Sequence, residues 1–420
     1  MALLSRPDWN GTLAATRALG RAHVPVHVAG PSVITISGSS RFAGRRLHCP
    51  PLARPGEHLR WLLALGKAHP RRYALCPTSD DSAWLYAAHA EELAPLFLQS
   101  PPPLSALRLL LDKSRLTQGA TAVGLRTPAT WFPADAGEAA RIAEGARFPL
   151  LIKQRAQVFS STNSKGAVVS GPGEVAEAWT RFRARNRFAG EVLERWPGLD
   201  LPMLQEFLPV AAERIYCLSG FLAKDGARHA LRASLKVLSH PRRLGIGVCF
   251  EHEEVDPALA QAVLELCRRA GFHGAFQCEF LEQGGERLLI DFNPRFYNFM
   301  SFDQARGLPQ AELSYLDACG DEAAFDLTLL QAAQVTAGAA AMVWCDRIGL
   351  RQMLLVEGVL GVCGREERRR WRGWLARAQV VIDAQGETGD RRPVLAGWFA
   401  RLRGALRHPR GFIAGHLGRV

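Results

Sequence analysis

The chain has 420 residues, of which 48% are hydrophobic and 22% charged, a composition typical of a folded protein with a sizeable core. No apolar run approaches the ~20 residues that a transmembrane helix needs, and the first residues become polar too soon for a secretory signal. The nine cysteines are scattered, which fits a reducing compartment better than a disulfide framework. We therefore expect a cytoplasmic protein.

The net charge of +12 is concentrated near the carboxyl end of the chain. Residues 365–420 contain thirteen arginines and five acidic residues, a net charge of +8. The main body is only mildly basic, so we expect no nucleic-acid partner. Only six of the 52 basic residues are lysines, which makes each lysine a candidate for a specific role, such as binding phosphate oxygens in a cleft.

The first hundred residues alternate strand and helix patterns. The apolar runs ALLS, VPVHVAG and YALCPTSDD predict strands, and the segments TLAATRALGRA, EHLRWLLALGKAH and SAWLYAAHAEEL predict helices. This alternation predicts a parallel α/β sheet with helices on its faces. The segment PPPLSAL marks a boundary, so we assign the first domain to residues 1–105.

The next two hundred residues mix strands and helices differently. FPLLIKQR predicts a strand that runs into the polar loop AQVFSSTNSKGAVV, and LPMLQEFL predicts another strand. Asp225-Gly226 predicts a hairpin turn, and DPALAQAVLELCRRAG has the pattern of an amphipathic helix ended by glycine. Two further strands, GAFQCEFLEQ and ERLLIDFNPR, follow around a turn at Gly284-Gly285.

The strand ERLLIDFNPR carries polar residues at alternate positions. Because side chains alternate between the faces of a strand, Asp291, Asn293 and Arg295 can share one face. Antiparallel pairing with the preceding strand would bring Glu279 close to Asp291 and Asn293, a set of hard oxygen ligands that suits Mg²⁺. The alternative is that these residues are the exposed polar face of an amphipathic hairpin.

This pattern resembles the ATP-grasp superfamily, in particular its carboxylate–amine ligases related to the large chain of carbamoyl-phosphate synthetase. The resemblance covers roughly residues 1–320. It implies a pre-ATP-grasp domain and then an ATP-grasp domain at 106–320, with a small lobe at about 125–205 and a large lobe at about 206–320. It also implies ATP with Mg²⁺, as two ions and with Mn²⁺ as an alternative, at Glu279, Asp291 and Asn293. Asp291 stands where the family usually has glutamate.

The resemblance also implies a set of nucleotide-binding residues. Lysines would hold the phosphates, a loop would cover them, and the segment LPMLQEFLPV would bind adenine, with an acid beyond it for the ribose. The loop departs from the family because Ser, Thr and Asn replace most glycines, and Val210-Ala211-Ala212 replaces a glycine after the adenine segment. The full set is Lys113, Lys153, Ser160, Ser161, Thr162, Ser164, Lys165, Gln205, Glu206, Phe207, Leu208 and Glu213.

The reaction implied by the resemblance activates a carboxylate as an acyl phosphate, releases ADP and joins the acyl group to an amine. Catalytic roles fall to Arg295, which would hold an anionic intermediate, and to Lys236, which would face the γ-phosphate. Two alternatives stay open: a kinase or phosphotransferase of the same superfamily, and a non-catalytic, membrane-associated nucleotide-binding protein. We expect no biotin-dependent carboxylase, since no biotinyl or carboxyltransferase segment is evident.

Three further features allow two interpretations each. Asp80-Asp81 could receive an amine, or Asp81 or Ser82 could cap a helix. Gly245 and Gly247 could bring backbone close to the reacting groups or form a plain turn. Residues 321–420, predicted to be mostly helical, combine arginine with large apolar residues, which fits either peripheral contact with an anionic membrane or ordinary packing on the core.

Overall fold

Three sheets organise the protein, and each lies in a different part of the chain. A parallel sheet comes first, then a small antiparallel sheet and then a larger, mostly antiparallel one, which confirms the predicted α/β class with α+β lobes. The structure is a computed structural model that describes residues 1–32, 34–160, 166–188, 190–209, 213–242, 244–335 and 341–417.

The amino-terminal sheet contains β1 (Ala2–Leu4), β2 (Val26–Gly30), β3 (Ala43–His48), β4 (Tyr73–Cys76) and β5 (Phe97–Leu98). Its strands are parallel and follow the order β3-β2-β1-β4-β5. The three central strands are buried along their whole length, as expected for a parallel sheet covered on both faces. The helices of this region are α1 (Asn10–Arg21), α2 (Pro55–Ala68), α3 (Asp80–Ala88), α4 (Ala90–Leu93), α5 (Leu104–Leu111) and α6 (Lys113–Ala122).

The small lobe is built on an antiparallel sheet of four strands, β6 (Thr130–Trp131), β7 (Leu150–Lys153), β8 (Ala167–Val169) and β9 (Met203–Glu206). Their order is β6-β9-β7-β8. A separate small core lies between this sheet and its helices, so the lobe has apolar packing of its own. The helices are α7 (Ala136–Gly145), α8 (Val175–Arg185) and α9 (Gly190–Arg195).

The large lobe begins with five antiparallel strands, β10 (Ile215–Leu222), β11 (His229–His240), β12 (Ile246–Glu253), β13 (Gly274–Gln283) and β14 (Glu286–Asn293). Gly226 has φ +69° in the turn between β10 and β11, a conformation that side chains disfavour and that the sequence predicted from Asp-Gly. Its helices are α10 (Pro257–Ala270), α11 (Met300–Ala305), α12 (Gln310–Cys319) and α13 (Glu322–Gln334).

The carboxyl-terminal region differs from the predicted helical segment because two of its strands, β15 (Met342–Cys345) and β16 (Val380–Asp383), extend the large sheet. The sheet order is β14-β13-β10-β11-β12-β15-β16. These strands are four residues long, too short for their sequence to distinguish them from helix. Among the described residues, no helix combines the length and apolar character needed to cross a membrane. The helices here are α14 (Arg347–Val359), α15 (Arg365–Arg377), α16 (Arg392–Arg407) and α17 (Pro409–His416).

A buried polar network joins α11 to the large sheet. Asp303 has no exposed surface and accepts hydrogen bonds from Ser219 Oγ at 2.7 Å, from the Tyr297 hydroxyl and from Arg306. Arg306 also donates to the carbonyl oxygen of Ala233 at 2.6 Å, so it ties the helix to β11. This network fixes the residues that follow β14.

We expect Asp303→Ala to lower the free energy of unfolding by about 3–5 kcal/mol, because it leaves the buried Arg306 charge without its carboxylate. The matched control is Glu177→Ala, which removes an exposed ion pair with Arg181 and should cost no more than about 1 kcal/mol. Urea unfolding of the three proteins measures the difference. Equal losses in the two variants would contradict the structural role of Asp303.

Candidate active site

The register of β13 and β14 brings the polar residues of the two strands together. Glu279 lies directly opposite Asp291, and Gln277 lies opposite Asn293. Phe292, between Asp291 and Asn293, is buried in the core on the other face of the sheet. The alternation predicted from the sequence therefore gives one polar face on this strand pair.

Each of the two carboxylates forms an ion pair with a lysine from another element. Lys236 on β11 reaches across β10, and its Nζ lies 2.7 Å from Glu279 Oε2. Lys113, the first residue of α6, has its Nζ 2.6 Å from Asp291 Oδ1. Burial lowers the pKa of the Lys236 ammonium, but Glu279, Cys217 and Asp291 together outweigh burial, so the net shift of this pKa is upward. Lys236 is therefore a permanent cation here.

Arg295 is held from two sides just after β14. Its Nη2 donates to Asn293 Oδ1 at 2.5 Å, and its Nε donates to Asp80 Oδ1 at 2.9 Å. Asn293 in turn donates from Nδ2 to Gln277 Oε1 at 2.7 Å. The guanidinium is thus fixed in orientation between the amino-terminal domain and the large sheet.

These groups line a cleft of about 1100 Å³, part of it open to solvent, between the small and large lobes. Lys153, at the end of β7, reaches the cleft from the small lobe. Three of the five described lysines therefore line one cleft. The predicted site residues that line it are Lys113, Lys153, Gln205, Glu206, Phe207, Leu208, Lys236, Glu279, Asp291, Asn293 and Arg295.

The segment after β9 forms one wall of the cleft. The backbone N–H of Glu206 donates to the Ala129 carbonyl at 2.8 Å, and that of Phe207 donates to the Pro149 carbonyl at 3.0 Å. These two N–H groups therefore have partners within the protein and cannot also donate to a ligand. A ligand at this wall would instead use other backbone groups and the apolar side chains of Phe207 and Leu208.

The predicted phosphate loop is described only at its two ends. Ser160 Oγ accepts a hydrogen bond from Gln154 Nε2 at 2.6 Å. At the other end, Gly166 has φ +148°, and a side chain there would collide with Leu151 and the Ile152 carbonyl. Ser161, Thr162, Ser164 and Lys165 lie outside the described residues.

Glu213, predicted to contact ribose, is exposed and is not part of the cleft lining. In the sequence it directly follows residues 210–212, which lie outside the described part of the chain. Its contact with a nucleotide stays a prediction.

The structure separates the roles of the adjacent acids Asp80 and Asp81. The helix cap is Ser79, which forms a capping box with Ser82, so neither Asp81 nor Ser82 is the cap considered from the sequence. Asp80 pairs with Arg295, and Asp81 accepts the backbone N–H of Phe159 at 2.6 Å. Both carboxylates thus hold parts of the protein rather than presenting a paired site for an amine.

Three residues at the site were not predicted from the sequence. Gln277 lies two positions before Glu279 on the same strand face, so strand alternation could have found it. Trp9 and Asn298 reach the cleft from the amino-terminal domain and from the segment after β14. No local pattern marks them, because their position depends on contacts between distant parts of the chain.

The donor set at β13 and β14 fits a magnesium ion shared with a phosphate ligand. It consists of the two carboxylates of Glu279 and Asp291 and the amide oxygen of Asn293. Within the described ranges, no three or more His, Cys, Asp or Glu side chains cluster as a metal site. The protein alone therefore offers an incomplete cage, which suits Mg²⁺, since this ion keeps several waters and phosphate oxygens as ligands.

Several solved structures share this architecture at low sequence identity. The biotin carboxylase domain of Hydrogenobacter thermophilus 2-oxoglutarate carboxylase, in complex with MgADP, ADP and bicarbonate, has a TM-score of 0.60 and 16% identity and covers 76% of this chain and 69% of that chain. N5-carboxyaminoimidazole ribonucleotide synthetase from Thermus thermophilus has a TM-score of 0.55 and 17% identity, with 76% and 78% covered. L-amino acid ligase from Bacillus licheniformis has a TM-score of 0.56 and 13% identity, with 76% and 74% covered.

The chain has the ATP-grasp fold. At 13–17% identity the comparison establishes the fold and not the substrate. No family model matches the sequence, and a search of curated proteins finds no match either. The ATP-grasp resemblance expected from the residues around Glu279 and Asp291 is confirmed at the level of the fold.

Asp81 lies beside the start of the predicted phosphate loop, and burial raises the pKa of its carboxyl group to about 6. The unfolded chain ionises near pH 4. The contribution of Asp81 to the free energy of unfolding should therefore fall as the pH rises from about 4 to about 6 and then level off, since the folded state resists ionisation of this carboxyl.

We expect Asp81→Asn to remove this dependence while keeping an acceptor for the Phe159 N–H. The stability of the variant relative to the natural protein should rise by about 2 kcal/mol between pH 4 and pH 7. Chemical unfolding of both proteins at four pH values measures it. A stability difference that does not change with pH would contradict the raised pKa.

Proposed function

We propose that this chain is an ATP-dependent, ADP-forming ligase that joins a carboxylate to an amine. One observation carries the proposal: two carboxylates on adjacent strands and four cationic side chains from four segments line one cleft. The solved structures of similar fold support it, since they are ligases of ATP-grasp type that form carbon–nitrogen bonds. The four cationic residues are Lys113, Lys153, Lys236 and Arg295.

The two ends of the cleft suit the two ends of ATP. Phe207 and Leu208 offer apolar surface for adenine, while Lys113 and Lys153 suit the phosphates. Lys113 and Lys236 now neutralise carboxylates, and each would transfer its hydrogen bonds to phosphate oxygens when the nucleotide binds. Bound with ATP, Mg²⁺ supplies neutralisation of phosphate charge, and Glu279, Asp291 and Asn293 would hold it.

The residues of the chain would act mainly by position and charge. The substrate carboxylate attacks the γ-phosphorus, forming a carbon–oxygen–phosphorus linkage and breaking the bond to the β-phosphate oxygen, so ADP leaves. Lys236 would stabilise charge on the transferred phosphoryl group. Arg295 would orient the carboxylate and later stabilise the oxyanion formed when an amine attacks. Its two fixed partners, Asp80 and Asn293, hold it ready for this role.

Substitutions in the cleft test the proposal. We expect Lys153→Ala to weaken Mg·ATP binding by about tenfold or more, since a cation is lost from the phosphate site. Asp291→Asn should leave ATP binding within a few-fold and lower turnover by at least about 100-fold. ATP binding is measured by calorimetry and turnover by ADP release in a screen of carboxylic acids with amines, with product masses determined.

The matched control for the lysine is Lys224→Ala, which removes a lysine that pairs with Asp317 on the far side of the large lobe. It should bind ATP like the natural protein. Full activity in both cleft variants would exclude this site, whereas ADP release that needs a carboxylic acid but no amine would indicate a phosphotransferase.

A second observation concerns the outer face of α16. Five large apolar side chains recur there at helical spacing and are 45–73% exposed, and arginines flank them. Soluble helices normally present polar residues at such positions. We propose that this face, in the most basic part of the chain, contacts an anionic bilayer surface, because apolar and basic groups together favour that surface. The five are Leu395, Trp398, Phe399, Leu402 and Leu406.

Vesicle binding tests this contact. Vesicles rich in phosphatidylglycerol should sediment the natural protein, and replacing Phe399, Leu402 and Leu406 by serine should abolish the binding. The control replaces Leu327 and Leu330 on α13, which are 57% exposed and lie outside the basic region. That control should bind normally. Equal binding of all three proteins, or none by the natural protein, would exclude the proposed contact.

A further inference from the structure

A second large cavity lies next to the cleft and is walled by the carboxyl-terminal helices. We call it the carboxyl-terminal cavity; it encloses about 1300 Å³, part of it open to solvent. Its wall includes one face of α16, where small residues recur at helical spacing, and part of α17. The opposite wall comes from the loop after β1 and from the start of β12. The small residues of α16 are Gly397, Ala400, Gly404 and Ala405.

The carboxyl-terminal cavity lies directly beside the cleft. Trp9, Ile246, Gly247 and Asn298 line both spaces. The boundary is fixed by a hydrogen bond of 2.8 Å from Asn298 Nδ2 to the Gly247 carbonyl. Gly247 packs on the Phe250 ring and on the stem of Lys236, and both would collide with a side chain at this position. The cavity therefore borders the cleft beside Lys236.

Among the described residues, the cavity wall contains four amide side chains, which belong to Asn10, Asn298, Gln352 and Gln385. Three of them are linked by hydrogen bonds: Gln385 Nε2 donates to Asn10 Oδ1 at 3.3 Å, and Asn10 Nδ2 donates to Asn298 Oδ1 at 2.9 Å. An amide group both donates and accepts hydrogen bonds, so a matching ligand carries both acceptors and donors, as hydroxyl and amide groups do.

The charges of the two spaces differ. The cleft contains four cations and three carboxylates, a net positive charge that favours phosphates and a carboxylate. The charged side chains at the wall of the carboxyl-terminal cavity are Asp8, Asp346 and Arg401, and Arg401 is ion-paired with Asp346. Burial lowers the pKa of His240 to about 4, so this side chain is neutral at pH 7. The cavity thus disfavours an anionic ligand and accepts a neutral or cationic one.

We propose that the carboxyl-terminal cavity binds the amine substrate, a primary amine with an uncharged body that carries hydroxyl or amide groups. The inference rests on the proposed ligase function and assigns its second substrate. The amine nitrogen passes Gly247 and Asn298 to reach the acyl phosphate in the cleft. Its lone pair forms the carbon–nitrogen bond and gives the oxyanion, which collapses as the bond from the acyl carbon to the phosphate oxygen breaks. Of the two protons that the ammonium group loses, one leaves with phosphate and one passes to water.

Filling the cavity tests the inference. A side chain at Gly404 or Gly411 would meet no atom within 4 Å, so Gly404→Leu and Gly411→Leu should fold while narrowing the cavity. The control is Gly373→Leu, the same change on α15, away from this wall. The carboxylic acid substrates in the assay are simple acids and N-acetylated amino acids, which have no free amine of their own. The nucleophiles are hydroxylamine and ammonium as small probes and glucosamine, serinamide and glycylglycinamide as large ones.

Hydroxamate formed from hydroxylamine reports acyl phosphate formation without use of the cavity. We expect the cavity variants to keep the natural rate of hydroxamate formation and to lose about tenfold or more in kcat/KM for the large amines. The Gly373→Leu control should retain both activities. Unchanged kinetics with the large amines in both cavity variants, or a natural protein that uses ammonium better than every large amine, would overturn the inference. Absence of hydroxamate with every acid would overturn the proposed function, and this assignment with it.

Discussion

The antiparallel register of β13 and β14 fixes the two carboxylates with which the lysines of the cleft pair. It sets Glu279 directly opposite Asp291, an arrangement of like charges that costs stability unless cations are close. Lys236 and Lys113 supply them, one from two strands away and one from the start of α6. The protein is therefore held together, at this point, by the same side chains that would bind phosphate.

Features of the site that depend on local sequence patterns could be predicted, whereas those that depend on long-range contacts could not. Strand alternation, the Asp-Gly turn and the glycine stop of α10 are local, and they were sufficient to locate β13, β14 and the polar face between them. The pairing of Arg295 with Asp80 was not predictable, because Asp80 lies 215 residues away in the sequence. Strands β15 and β16 were not predicted for a different reason: they are short apolar runs, and the pairing of β15 with β12 and of β16 with β15 exists only after the sheet has formed.

The carboxyl-terminal region contributes both to the large sheet and to a second cavity. It supplies two strands of the sheet and one wall of the cavity. Helix α16 presents small residues inward and large apolar residues outward. An ordinary surface helix has one apolar face, so the second face requires an explanation beyond packing. A ligand-binding cavity on one side and an anionic bilayer on the other, as proposed above, would satisfy both faces.

The two lysine–carboxylate pairs of the cleft differ in burial. This difference should decide which pair separates first when a phosphate binds. The Lys236 side chain is 6% exposed and that of Glu279 20%, whereas Asp291 is 33% exposed. Screening by water weakens the outer pair, so an arriving phosphate can take Lys113 from Asp291 more easily than it can take Lys236 from Glu279. Removing Glu279 would also leave a buried ammonium uncompensated, which costs stability as well as activity. Asp291 is therefore the position at which loss of turnover can be separated most cleanly from loss of the fold.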